Sequence, residues 1–173
     1  DPMGVPLNEL RANETLFQDF QLLILPGGFS YADALGAGKL LALDLASYFE
    51  EAITDFVDSG KPVIGICNGF QALVKSGILP FGNSEKKEER GAEATLTFNA
   101  QGHFECRWVM LKPVSQKCIW TKGLEEWITC PIAHGEGNFQ ASDIFPLSSF
   151  IAQDQIALTY ICADGLPADG EYP

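Results

Sequence analysis

Histidine is nearly absent from this chain: His103 and His134 are the only two among 173 residues. Chemistry that needs an imidazole base therefore has two candidates within this sequence. Cations are also few, 11 against 23 carboxylates, for a net charge of −12. That balance argues against nucleic acid as the main partner, because phosphates would be repelled. The carboxylates are spread along the chain rather than gathered in a tail, so their ordinary role is a solvated acidic surface. Cysteine occurs five times (67, 106, 118, 130, 162) without a C-x-x-C pair. An odd, widely spaced set fits neither a disulfide framework nor a zinc site, and it points to a reducing, cytoplasmic setting. Cys106, Cys118, Cys130 and Cys162 lie in apolar, strand-like runs and are expected in the core. There is no phosphate-binding loop, no metal-ligand cluster and no signal-peptide pattern. Charges such as Asp44 interrupt the longest apolar runs, which excludes a membrane-spanning segment of ordinary length.

What is present fits one domain over residues 1–173, with 46% hydrophobic and 20% charged residues. Gln21–Leu25 is a short apolar run stopped by Pro26-Gly27-Gly28, the pattern of a buried parallel strand entering a glycine loop. Leu40, Leu43, Ile53, Phe56 and Val57 recur at helical spacing between about Ala37 and Val57, and Ser59-Gly60 supplies a stop. A second strand over 62–66 and a helix ending at Gly77 follow. This alternation predicts an α/β fold with a parallel sheet flanked by helices. A charged, apolar-free loop over about 83–93 separates it from a β-rich second half. There Phe104, Cys106, Trp108 and Met110 alternate with Glu105 and Arg107, predicting a strand with those apolar residues inward. Further strands are expected at 127–133 and 156–162.

The most specific local pattern is Gly65-Ile66-Cys67-Asn68-Gly69, placed where the second strand turns into the helix. A nucleophile elbow has this layout, since glycines on both sides allow a strained turn and close packing. The helix N-terminus adds backbone N–H groups and a positive dipole end, which favour a thiolate. A cysteine nucleophile also needs an oxyanion hole and a base held by an orienting partner. The Asn68 backbone N–H and the Gly27-Gly28 turn of the neighbouring strand are the candidates for the hole. His134 is the stronger candidate base: it ends a strand in Pro131-Ile132-Ala133-His134-Gly135-Glu136-Gly137, with a carboxylate two residues on. On the residues alone, Cys67–His134–Glu136 is the evident triad.

The stretches L-P-G-G-F-S-Y (25–31), G-I-C-N-G-F-Q (65–71), F-E-C-R-W-V (104–109) and P-I-A-H-G-E-G-N-F (131–139) stand in an order that spans about residues 8–165. Together they resemble the glutaminase subunit or domain of phosphoribosylformylglycinamidine synthase, a class I glutamine amidotransferase of purine biosynthesis. The resemblance implies a flavodoxin-like, mostly parallel sheet. It also implies that Cys67 attacks the side-chain amide of L-glutamine and releases ammonia. Gly27, Gly28 and Asn68 then match the oxyanion hole, while Gln71, His134, Gly135 and Glu136 match the glutamine-binding positions. In that family the catalytic histidine and glutamate belong to a His-Pro-Glu stretch, which this sequence does not contain. The resemblance thus implies a domain truncated at both ends, with His134 lining the pocket rather than acting as base. It further implies no cofactor in this chain, ATP and magnesium being held by a synthetase partner. A stand-alone cysteine hydrolase of the same fold group and a non-catalytic fragment are the competing readings. Gln71 and the A-H-G-E-G loop argue against the first of these.

Overall fold

The structure is a computed structural model that describes residues 1–80 and 94–168. The charged loop expected over 83–93 lies outside the described residues. The chain divides at Thr95–Leu96 into two compact units, and each has its own layering.

The first unit runs α1 (Leu7–Ala12), α2 (Leu16–Asp19), β1 (Leu23–Leu25), a left-handed turn (Ser30–Asp33), α3 (Lys39–Asp44), a π-helical turn (Leu45–Phe49), α4 (Glu50–Asp58), β2 (Val63–Gly65) and α5 (Asn68–Lys75). β1 and β2 pair in parallel, with Leu23 opposite Val63 and Leu25 opposite Gly65. Parallel neighbours need a long crossover, and the helical run over 39–58 supplies it. One face of that run is buried at Ala42, Leu45, Phe49, Ile53 and Phe56, a spacing of three or four residues throughout. The predicted stripe was partly misplaced. Ile53 and Phe56 are core, but Leu43 and Val57 are exposed, because the buried face is the one that carries Ala42, Leu45 and Phe49 and both residues point away from it. Phe17, Leu25, Ala72, Leu73 and Ile78 complete this core. The Phe17 ring lies 6.2 Å from Phe49 and 6.3 Å from Phe56, in tilted and edge-on contacts.

The second unit is β-rich. β3 (Ala94–Thr97) leads into it, followed by β4 (Glu105–Pro113), β5 (Ile128–His134), β6 (Asn138–Ala141), α6 (Leu147–Ala152) and β7 (Leu158–Ile161). β4 is the centre of an antiparallel sheet ordered β5-β4-β7, and β3 pairs with β6. The three predicted strands of this half are therefore present, and the fold is mixed α/β. Val109, Phe150 and Ile161 are buried, with Phe139 and Phe145 edge-on to Phe150 at 5.7 and 5.0 Å.

Two expectations are corrected here. The apolar face of β4 was assigned to the wrong side: Cys106 and Trp108 point out, Trp108 with 69% exposure, while Glu105 and Arg107 are half-buried beside Val109. Alternation locates a strand but not its buried face when charges can neutralise one another. Glu105 does this by meeting Arg107 Nε at 3.3 Å, and its other carboxylate oxygen lies 3.2 Å from His103 Nδ1. The four cysteines expected in the core are not there either. Cys106 is exposed, Cys118, Cys130 and Cys162 are half-buried, and all five cysteines are free thiols.

Candidate active site

Cys67 sits at the junction of β2 and α5 with φ 52° and ψ −111°. A non-glycine residue in that region is strained, and such strain persists only where the surroundings impose it. The flanking glycines show how it is imposed. A Cβ at Gly65 would lie 2.8 Å from the Phe70 backbone, and one at Gly69 would lie 2.2 Å from the Leu25 carbonyl oxygen. Only glycine at both positions lets α5 descend onto β1 and β2, and that descent forces the turn at Cys67. The helix consequently begins at Asn68, two residues before the sequence pattern marked it, and Cys67 remains exposed. Gly27 packs directly on the elbow, since a Cβ there would stand 3.1 Å from Cys67 Cβ. Gly28 follows with φ 128°, a value that side chains rarely adopt.

Asn68 is buried, and its side chain does work that the sequence did not reveal. Its Oδ1 accepts from the Ser30 backbone N–H at 3.2 Å and from the Ser30 hydroxyl. Its Nδ2 donates to Asp33 Oδ1 at 2.9 Å and to Gln71 Oε1 at 3.3 Å. Asp33 Oδ1 also accepts from the Gly38 N–H at 3.0 Å. These bonds tie the glycine loop after β1 to the start of α5. The loop needs the tie, because Tyr31, Ala32 and Asp33 all have φ between 50° and 54°, and each such residue costs about 1–2 kcal/mol. Gln71 is buried within the same cluster. Ser30, Asp33 and Gly38 were missed in the sequence. A Cβ at Gly38 would stand 2.9 Å from the Ala72 N.

In the second unit His134 ends β5, and residues 135–137 turn into β6. Glu105 is its register partner on β4. His134 Nδ1 lies 2.9 Å from Asn99 Oδ1, so the histidine is oriented there by an amide rather than by Glu136, which is half-buried. Burial holds the His134 pKa below its ordinary 6.5; Glu105 opposes this and Arg107 adds to it. The ring lies flat over Gly137, where a Cβ would fall 2.1 Å from His134 Cε1. Gly135 leaves ordinary room, 3.7 Å to Phe104. Asn99 was also missed: one polar residue after a short strand looks like any turn residue.

The structure thus brings Cys67, Gly27, Asn68 and Gln71 together in one unit, and His134, Gly135 and Glu136 in the other. A cavity of about 880 Å³ in the first unit reaches Gly27, Gly28 and Asn68. Its remaining walls are largely apolar, including Leu25, Phe49, Ile53 and Phe56, and Cys67 does not line it. Among the described residues no cluster of His, Cys, Asp and Glu is arranged to hold a metal ion, and no helix is long and apolar enough to cross a membrane.

Comparison with known proteins adds a lineage to this geometry. A profile of the CobB/CobQ-like glutamine amidotransferase domain matches residues 1–173. Phosphoribosylformylglycinamidine synthase subunit PurQ of Treponema denticola is 51% identical in an alignment covering all of this chain and 67% of that protein. The PurQ subunit of Methanococcus maripaludis is 36% identical over 98% of this chain and 60% of its own length. The chain therefore spans about two thirds or less of these relatives. A solved structure of PurLQS from Thermotoga maritima superposes with a TM-score of 0.62 at 31% identity, covering 89% of this chain and 61% of that one.

Proposed function

Because this chain belongs to the CobB/CobQ-like glutamine amidotransferase family, we propose that it carries the glutaminase chemistry of a phosphoribosylformylglycinamidine synthase. Cys67 Sγ attacks the side-chain carboxamide carbon of L-glutamine, and the carbonyl oxygen takes up negative charge. The Asn68 N–H and the Gly27-Gly28 turn receive that charge, each well-placed donor being worth about 3–4 kcal/mol in the transition state. The C–N bond then breaks, the proton given up by the Cys67 thiol passes to the departing nitrogen, which leaves as ammonia, and a glutamyl thioester remains on Cys67. Water hydrolyses the thioester to glutamate and restores the thiol. Gln71, His134, Gly135 and Glu136 hold the amino-acid substrate.

The ammonia is passed to a synthetase partner for ATP-dependent amidation of formylglycinamide ribonucleotide. ATP and magnesium bind that partner, this chain uses no cofactor of its own, and the assembly works in the cytoplasm. The observation that carries this reading is the backbone of Cys67, held at φ 52° between two glycines that tolerate no side chain. The test is Cys67→Ala in the complete enzyme. Glutamine-dependent synthesis should disappear, and synthesis from added ammonia should continue at its normal rate. Loss of both activities would sink the division of labour.

A further inference from the structure

Asn99 is buried two residues after β3, and its side chain is committed on both sides of the amide. Nδ2 donates to the His103 carbonyl at 2.9 Å and to the His134 carbonyl at 2.8 Å. Oδ1 accepts from the Gly137 backbone N–H at 3.0 Å. The Asn99 N–H itself donates to the Gly135 carbonyl at 2.9 Å. Two carbonyls on one side and an N–H on the other leave no freedom to flip the amide. A reversed Asn99 would set oxygen against two carbonyls and NH₂ against an N–H. The 2.9 Å contact between Oδ1 and His134 Nδ1 therefore has one sense, with Nδ1 as donor.

We propose that Asn99 is the positioning residue of the His134–Gly137 loop, fixing His134 in the Nδ1–H tautomer so that Nε2 is presented as a hydrogen-bond acceptor. Among the described residues nothing bonds Nε2. The lone pair suits an N–H donor of a small ligand. If the loop lines the glutamine site, as the proposed function holds, that donor is the carboxamide or ammonium of the amino acid. A neutral imidazole is needed for this role, and burial favours it. The titratable and charged groups around the ring are Glu105 on the paired strand, with Arg107 and the His103 imidazole beside it. The ring cannot tilt away, because Gly137 lies against it and Asn99 grips both ends of the turn.

The test is long-range ¹H–¹⁵N spectroscopy of the imidazoles in the full-length protein at pH 7.5. Wild-type His134 should show a protonated Nδ1, and Asn99→Ala should move it toward the Nε2–H form that free histidine prefers. Asn99→Asp keeps the acceptor and adds a negative charge, so the Nδ1–H form should persist and the His134 pKa should rise. An Nε2–H histidine in the wild type would overturn the proposal even if neither variant folds. So would an unchanged tautomer in Asn99→Ala, or an unmoved pKa in Asn99→Asp. Glutamine turnover in the complete enzyme separates this from the functional reading. Asn99→Ala should raise the glutamine KM about tenfold while kcat changes less than about threefold, the pattern of lost substrate binding. A shifted tautomer with an unchanged KM would leave the role of Asn99 standing and remove the loop from the glutamine site.

Discussion

Gly69 stands against Leu25 so closely that a single methyl group would fall 2.2 Å from the Leu25 carbonyl oxygen. The first turn of α5 is thus seated on the end of β1, and the conformation of Cys67 follows from that seating. Gly69→Ala should destabilise the protein by about 3 kcal/mol, as overpacking against backbone does. It should also slow alkylation of Cys67 by releasing the elbow. Gly4→Ala, where an added Cβ meets nothing within 4 Å, is the control. Equal denaturation midpoints for the two variants would mean that Gly69 is not what holds the turn.

The inverted face of β4 has its own consequence. Val109 is buried and Trp108 is exposed, although the tryptophan is by far the larger hydrophobe. Val109→Ala should cost about 2 kcal/mol through the lost contacts and the cavity left behind. Trp108→Ala should cost less than about 1 kcal/mol. Urea unfolding of both variants decides it, and the reverse ranking would return the tryptophan to the core.

His134 should make stability depend on pH in a definite direction. Its folded pKa lies below the ordinary 6.5, so the unfolded chain binds a proton that the folded chain refuses. Stability is then full above about 6.5 and falls as pH drops through that value toward the folded pKa. The slope is bounded by one proton, about 1.4 kcal/mol per pH unit. His134→Gln removes the titration, so its melting temperature should fall less steeply between pH 7 and 5 than that of the parent. Parallel curves would show that the His134 proton is not linked to folding.

Much of the first unit was legible in the chain because its signals are local. Gln21–Leu25 and residues 62–66 were recognisable as strands from apolar runs that end in glycine-containing turns, and their cores, Leu23–Leu25 and Val63–Gly65, are present as the parallel pair. The helical run between them was also legible, but its buried face was not. Leu43 lies off the face that Ala42, Leu45 and Phe49 share, and the many apolar residues of the run did not single that face out. In the second unit the three strands were visible as alternations. Which side of β4 turned inward was not legible, because Glu105 could be half-buried through its pairing with Arg107.

The elbow was determined by the sequence alone. Five consecutive residues carry it, and its requirement is steric: two positions without a Cβ around one strained residue. What only the tertiary structure decided is how the neighbouring side chains are used. Asn68 reaches back 38 residues to Ser30 to brace the glycine loop, and Asn99 reaches forward 35 residues to set the proton on His134. A hydrogen bond between residues that far apart imposes no spacing on the chain between them. It becomes definite only when folding has buried the amide and left it a single set of partners.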